Sequence, residues 1–504
     1  MSEGGELAGL VERLKGVPVL VVGDIMLDRF IYGAVERISP EAPIPVMRIA
    51  RETAMLGGAG NVLRNLAAVG ACPHVVAAVG DDDAGRQVEA LARDCLAEVE
   101  GRLALLRLPG RPSTIKERFI AGGQQLLRAD REPAGGLDAA QEAAAIEAAL
   151  AALEGAAAVV LSDYGKGLLS PALIQAVIDG ARQRGCPLVV DPKGRDFARY
   201  RGAGWVTPNR RELQDASALP TGTETELVAA CRKVIGEAAV GGILATRSEQ
   251  GMTLVGPLDG DDATAVHHLK ARAREVYDVS GAGDTVVAVF AAALGAGLPP
   301  VQAAGLANAA AAIVVGKLGT AVARAGEIAR ALHTSELMDA ESKVVDLESL
   351  LEQVARWRGA GLRVGFTNGC FDLLHPGHVS LLQQAEAACD RLVVGLNSDA
   401  SVRRLKGAER PIQSEAARAA VLASLASVSR VVIFGEDTPL ALIEALRPEV
   451  LVKGADYRLD QVVGAEEVRR YGGRVVLADL SPGHSTSATI ERLAGGGAGW
   501  NRSD

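Results

Sequence analysis

Asp278-Val279-Ser280-Gly281-Ala282-Gly283-Asp284-Thr285 combines glycines, small residues and two carboxylates just ahead of a long run without charge. Gly281 and Gly283 around Ala282 let the backbone approach a ligand closely. A turn entering a helix also aims free N–H groups and the positive dipole end at an anion. Asp284 stands at the same helix start, where it can take a proton from a hydroxyl while the amides hold the phosphoryl group that the hydroxyl attacks. The plainer reading of these eight residues is a tight turn with an aspartate cap. The second stretch with chemistry in it is Asn368-Gly369-Cys370-Phe371-Asp372-Leu373-Leu374-His375-Pro376-Gly377-His378. The chain has only seven histidines, and this His-x-Gly-His holds two of them. At a strand-to-helix turn Gly377 lets the backbone near a phosphate. His375 and His378 then share one helix face, from which two imidazoles can donate hydrogen bonds to a phosphoryl group under attack. A half-formed metal site and a capped turn are the rivals, but no third ligand of suitable spacing lies near.

Elements of an α/β protein must position these groups. Val17 to Val22 is an apolar run ending at Gly23-Asp24, and Val159 to Tyr164 and Leu188 to Lys193 repeat the pattern. Alternating with helical stretches, they predict parallel strands whose carboxyl ends carry polar residues, where ligands of α/β sheets bind. Asp28 lies near that edge, as a ligand group or a solvated loop carboxylate, and Lys193 either meets a substrate phosphate or is simply solvated. Pro40 to Ile49, with prolines at 40, 43 and 45, reads as an edge or lid strand. Gly57-Gly58-Ala59-Gly60-Asn61 precedes a helical pattern from Val62 to Val69, giving either close approach to a ligand or a flexible turn with a cap.

The 504 residues exceed one ordinary core, and 48% hydrophobic residues with 3% aromatics and 58 glycines suit layered α/β structure. A net charge of −9 argues against a nucleic-acid surface, so no nucleic-acid partner is expected. Six scattered cysteines without a Cys-x-x-Cys pair suggest neither disulfides nor zinc. Met1 to Gly16 has no apolar core of signal-peptide length, and a cytoplasmic location is expected. Val286 to Gly316 carries no charge, but Gly295-Ala296-Gly297-Leu298-Pro299-Pro300 breaks it into two short helices, better buried in protein than in a membrane.

Gly57 to Arg86, ending Ala78-Val79-Gly80-Asp81-Asp82-Asp83-Ala84-Gly85, resembles the N-terminal signature of the ribokinase-like sugar kinases, and Asp278 to Thr285 resembles their C-terminal signature. The resemblance implies that Asp284 is the base and that the amides of Gly281, Ala282 and Gly283 form the anion hole. It implies a sugar site at Asp28, Gly57, Gly58, Asn61 and Lys193. Thr207-Pro208-Asn209-Arg210-Arg211-Glu212 resembles the family's Asn-x-x-Glu element, so that Asn209 and Glu212 help place Mg2+ and ATP. Thr246 lies in a stretch similar to the nucleotide-side loop, and Asn308 falls where the family contacts the nucleoside. Gly33 to Ile49 and Ser113 to Glu132 resemble the heptose-phosphate kinases, with Lys116, Arg118 and Arg128 as positive charge for a phosphorylated sugar or as solvated surface residues.

From Gly361 to Leu493 the chain resembles the nucleotidyltransferases of the cytidylyltransferase-like superfamily. That resemblance gives catalytic roles to His375 and His378 and an ATP site to Phe366, Asn368, Lys406, Lys453, Ser485, Thr486 and Ser487. Lys406 and Lys453 read equally well as surface lysines. The expected architecture is α/β throughout: a ribokinase-like three-layer domain with a β-lid over residues 1–334, a linker and connecting helix over 335–357, and a Rossmann-like nucleotidyltransferase domain over 358–504. Together the units resemble bifunctional heptose 7-phosphate kinase and heptose 1-phosphate adenylyltransferase enzymes. This implies ATP, Mg2+ and heptose phosphates as small-molecule ligands, no resident metal site, no membrane and a homodimer through the kinase lid. The alternatives are another phosphosugar kinase fused to a cytidylyl- or other nucleotidyltransferase, and a nucleotide-binding regulator built from a disabled kinase.

Overall fold

A computed structural model describes residues 3–257, 265–271, 278–317, 319–455 and 457–479. The chain divides into two compact units, one spanning Leu7–Leu332 and the other beginning at His333. The helix Ala325–Glu341 carries the chain across that boundary.

In the first unit the apolar runs become strands of a nine-stranded sheet. Across the sheet the order is Ala265–Leu269, Met252–Gly256, Gly242–Thr246, Trp205–Val206, Leu188–Asp191, Ala158–Ser162, Pro18–Gly23, Cys72–Gly80 and Arg102–Leu108. The strands from Gly242–Thr246 to Arg102–Leu108 are parallel, and the first two pair antiparallel. Alternation along Pro18–Gly23 explains the layering. Val19 and Val21 join one core, with the helices Ala59–Ala68, Ala282–Gly295 and Pro300–Val315, while Leu20 and Val22 join the other, with Pro171–Gln183 and Glu224–Ala238. A sheet covered on both faces needs such continuous apolar strands. The charge-free run is the helix pair Ala282–Gly295 and Pro300–Val315, largely buried. Among the described residues no helix is long and apolar enough to cross a membrane.

A separate four-stranded sheet, ordered Pro45–Gly58, Ile25–Ile38, Ile115–Ala121 and Gln124–Arg131, forms the lid. The strand expected over Pro40 to Ile49 starts at Pro45 and continues through Gly58. Its middle, Arg48 to Ala54, is exposed on both faces, so no alternation marks it as a strand. The next helix begins at Ala59, earlier than the expected Val62, because Gly58 makes the turn at φ +59°. A Cβ there would lie 2.3 Å from the Asp24 carbonyl oxygen, so only glycine fits.

The second unit is a six-stranded parallel sheet ordered Val344–Val345, Arg430–Phe434, Arg391–Asn397, Val364–Gly369, Val450–Gly454 and Arg474–Ala478. The helix Leu347–Gly359 is capped by Asp346, whose side chain accepts from the Ser349 amide at 2.8 Å. The chain winds outward in both directions from Val364–Gly369, so the carboxyl end of that strand is the switch point where such sheets bind nucleotides.

Candidate active sites

In the first unit Asp163-Tyr164, Pro192-Lys193, Thr207 and Thr246 lie at the carboxyl ends of parallel strands and line a cleft of about 180 Å³ with Gly281, Gly283 and Asp284. Asp284 lies in the first turn of Ala282–Gly295, and both of its oxygens are engaged. The Tyr164 hydroxyl donates to Oδ1 at 2.6 Å and the Asn61 amide nitrogen to Oδ2 at 2.7 Å. Arg64 fixes the orientation of that amide. Its guanidinium donates to Asn61 Oδ1 at 3.1 Å and to the Thr320 carbonyl at 3.0 Å, leaving Asn61 only its NH2 to offer Asp284. Burial pushes Asp284 up to about 6. The bonds from Tyr164 and Asn61 pull it back, the Asp28 charge pushes it up again and Lys116 lowers it.

Around this carboxylate the expected sugar residues divide. Gly57 lies against Asp28, where a Cβ would meet the carboxylate at 2.5 Å. Asp28 is buried and paired to Arg118 at 2.9 Å, and Lys116, its charge disfavoured by burial, lies over the Tyr164 ring at 5.5 Å. Asn61 donates its amide to Asp284 and Asn65 accepts from Thr285, so the helix Ala59–Ala68 braces that carboxylate and its neighbour. Lys193 lies 3.8 Å from Glu212, and both line the cleft. Asn209 caps Arg210–Ser217 in a reciprocal box with Glu212 and bridges to Thr246. At the glycine turn the Ala282 N–H is given to the Val279 carbonyl at 3.3 Å, so in this state it is not one of the free donors expected of it. Asn308 is buried, donates to the Lys270 carbonyl at 2.8 Å and does not line the cleft.

The sequence reading missed Tyr164, Asp24 and Asp191. Asp24 accepts from the amides of Tyr164, Lys166 and Leu168 at 3.0, 2.9 and 3.2 Å, which holds the loop bearing Tyr164. Burial, then Asp284 and Glu212, push Asp191 well up. All three sit at or just past strand ends, and that position was the available signal.

In the second unit the strand Val364–Gly369 runs into a turn held by two arginines. Arg418, fully buried, donates to the Cys370 carbonyl at 2.6 Å, to Asp399 at 2.7 Å and to the Gln413 carbonyl at 3.1 Å. Asp372 accepts from Arg410 and from the amides of Ile412 at 2.7 Å and Gln413 at 3.3 Å. Phe371 adopts φ +43°, and its buried ring packs 5.2 Å from that of His378. His375 is the residue before Pro376–Ala387, and its ring stacks on His378 at 3.8 Å. Burial, then His375 and Lys406, push His378 down to about 4, so it is neutral at pH 7. Lys453 donates to the Asn368 carbonyl at 2.9 Å. The side-chain oxygen of Asn368 and Nδ1 of His378 are buried without a hydrogen-bond partner, as expected of groups that meet a ligand. Phe366 does not face this site: its side chain is fully buried in the core beneath it. Lys406 ends an exposed helix, and Ser485, Thr486 and Ser487 lie outside the described residues. Among the described residues no group of three or more His, Cys, Asp or Glu side chains could hold a metal ion.

Residues 18–325 match the model of the pfkB family carbohydrate kinases, and residues 366–492 the cytidylyltransferase-like model. In fold, the first unit is similar to phosphofructokinase-2 from Escherichia coli in complex with potassium, with a TM-score of 0.53 at 18% identity, covering 64% of this chain and 99% of that one. These matches and the two sites define a carbohydrate kinase joined to a nucleotidyltransferase, using nucleotide and small-molecule substrates. Over nearly its whole length the chain is 56% identical to the bifunctional protein HldE of Rhodospirillum rubrum, covering 97% of each chain. It is also 56% identical to that of Paramagnetospirillum magneticum, covering 98% of this chain and 100% of the relative. The chain belongs to the family of bifunctional HldE proteins. It is a bifunctional enzyme of ADP-heptose synthesis, phosphorylating D-glycero-β-D-manno-heptose 7-phosphate at the anomeric position and transferring AMP from ATP to heptose 1-phosphate with release of pyrophosphate.

Proposed function

We propose that Asp284 is the general base of the kinase reaction and that His375 and His378 stabilise the phosphoryl group in the adenylyl transfer. The observation that carries this is the buried Asp284 carboxylate, oriented by two donors at a helix start that opens on the cleft. Asp284 takes the proton of the anomeric hydroxyl as that oxygen attacks the γ-phosphorus. The Gly281 and Gly283 amides face the transferred group, joined by Ala282 when its long bond to Val279 gives way. Asp28, Gly57 and Gly58 bound the sugar, with Asn61 acting through Asp284. Lys193, Asn209, Glu212 and Thr246 form the nucleotide side. Asn209 and Glu212 would help hold an Mg2+ ion bound with ATP, through the oxygen donors that ion prefers, and the ion would neutralise phosphate charge there.

In the second unit an oxygen of the sugar 1-phosphate attacks the α-phosphorus of ATP, and the stacked imidazoles donate to its oxygens while Asn368 and Lys453 orient the nucleotide. Lys406, Ser485, Thr486 and Ser487 complete the phosphate site. The catalytic domains are residues 1–334 and 358–504, joined by 335–357, and the enzyme works in the cytoplasm. Exposed Ile38, Ile49, Leu126 and Leu127 on the lid sheet and Ile44 in its turn support a homodimer through that surface. Phosphorus NMR tests the two roles. With heptose 7-phosphate and Mg-ATP, Asp284→Asn should give no anomeric phosphate yet still convert supplied heptose 1-phosphate, and His378→Ala the reverse. Loss of both activities from either folded variant would refute the assignment.

A further inference from the structure

We infer that Tyr164 is a positioning residue of the kinase reaction: its hydroxyl holds the Asp284 carboxylate in the orientation that receives the sugar proton and favours its ionised form. This rests on the reading of Asp284 as the base. Three observations support it. The hydroxyl is 2.6 Å from Oδ1 while Asn61 takes Oδ2, so each oxygen keeps a lone pair but the carboxylate cannot rotate without losing a bond. The residue itself is anchored, since Asp24 binds the amides of Tyr164, Lys166 and Leu168 and Asp163 binds that of Gly165 at 2.8 Å. Its ring is hemmed in by Lys116 over one face and by Gly58, where a Cβ would lie 3.4 Å from the ring.

The chemistry needs such a donor. A buried carboxylate tends to take up a proton and is then no base. Asp28 from the strand Ile25–Ile38 and Asp191 from Leu188–Asp191 push Asp284 the same way. Lys116 from Ile115–Ala121 and Arg64 from Ala59–Ala68 oppose them through space. Among the described residues, Tyr164 and Asn61 are the side chains hydrogen-bonded to the carboxylate. Burial and the Asp284 charge push the phenol well above its ordinary range, so it remains a donor at every working pH.

The test uses the full chain and follows kinase kcat and KM from pH 5 to 8.5 for the natural protein, Tyr164→Phe and Asp284→Asn, with adenylyl transfer as the internal control. Tyr164→Phe should move the acid limb of kcat/KM up by about one pH unit and lower kcat about tenfold at pH 6.5, with the sugar KM and the transferase unchanged. An acid limb identical to that of the natural protein overturns the proposal. Should the phenylalanine variant misfold, 3-fluorotyrosine placed at position 164 is a stronger donor of nearly the same shape and must move the limb downward; no movement again overturns it. Kinase activity surviving in Asp284→Asn would instead sink the base assignment, a failure separate from an unmoved pH limb beside an inactive Asp284→Asn.

Discussion

Replacing Asp284 by asparagine should make the kinase unit more stable while abolishing its reaction. Burial carries the carboxyl from 3.8 to about 6 in the folded chain. An acid with a raised folded pKa holds its proton in the native state after the unfolded chain has released it. Stability therefore falls as pH rises between about 4 and 6, and the loss persists above that window. Two units and a little, at about 1.4 kcal/mol each, set an upper figure of about 3 kcal/mol at pH 7.5. The site can accept the amide. Asn61 offers only donors because Arg64 occupies its oxygen, so the new side chain turns its oxygen to Asn61 and its NH2 to Tyr164. The phenol, unlike the Asn61 NH2, can rotate to accept. Hydrogen exchange of peptides covering the central strand Pro18–Gly23 reads this unit separately from the other. The variant should be about 1–3 kcal/mol more protected at pH 7.5, with the difference shrinking toward pH 4.5. A variant less protected at pH 7.5, or a difference that ignores pH, would refute the picture of a buried carboxylate held charged at a cost in stability.

Gly281→Ala should lower kinase kcat tenfold or more and spare adenylyl transfer, as parallel assays on one preparation would reveal. Its φ of +79° costs an alanine about 1–2 kcal/mol, and the added Cβ would lie 2.6 Å from Thr320 Cγ2 and 2.7 Å from the Asn61 nitrogen that orients the base. His378→Ala should slow pyrophosphate release from ATP and heptose 1-phosphate by about a hundredfold or more, the usual cost of removing a donor to a transition-state oxyanion, with ADP formation by the kinase as control. Asp372→Asn should destabilise the second unit by about 3–5 kcal/mol, since it leaves Arg410 without its buried partner. Burial tends to raise Asp372, but Arg410 and the Ile412 and Gln413 amides hold it below the usual range. That contribution is present above about pH 4 and lost below it, so exchange protection of Arg391–Asn397 should fall by a constant amount from pH 5 to 8.

Both turns proposed to face phosphate were legible in the sequence because their chemistry is local. Glycines beside Asp284, and two histidines three residues apart after an apolar strand, need no distant partner to be noticed. The strand ends were legible too, since a run such as Val159 to Leu161 closing on Ser162 and Asp163 reads as a buried parallel strand. Missing were groups whose role depends on a contact from far along the chain. Tyr164 looks like any polar strand terminus until the fold brings it to Asp284, 120 residues away. Arg418, which the sequence analysis did not single out, is fully buried against the Cys370 carbonyl and Asp399. Asn308 and Phe366 erred the other way, occupying family positions while the first bonds the Lys270 carbonyl and the second fills the core.

The two sites meet opposite electrostatic problems, and the difference explains how each is built. Burial drives Asp284 toward its neutral acid and His378 toward its neutral base. On the proposed assignment ATP brings negative charge to both. Beside His378 that charge favours the imidazolium, so the substrate itself corrects the shift and the protein can leave Nδ1 without a partner in the free state. Beside Asp284 the same charge works against the ionised base, so correction must come from the protein. That is why the carboxylate has a donor on each oxygen, Arg64 behind Asn61 and Lys116 nearby. On the proposed assignment, the two donors held on the Asp284 carboxylate follow from the negative charge it must keep as an anionic substrate arrives.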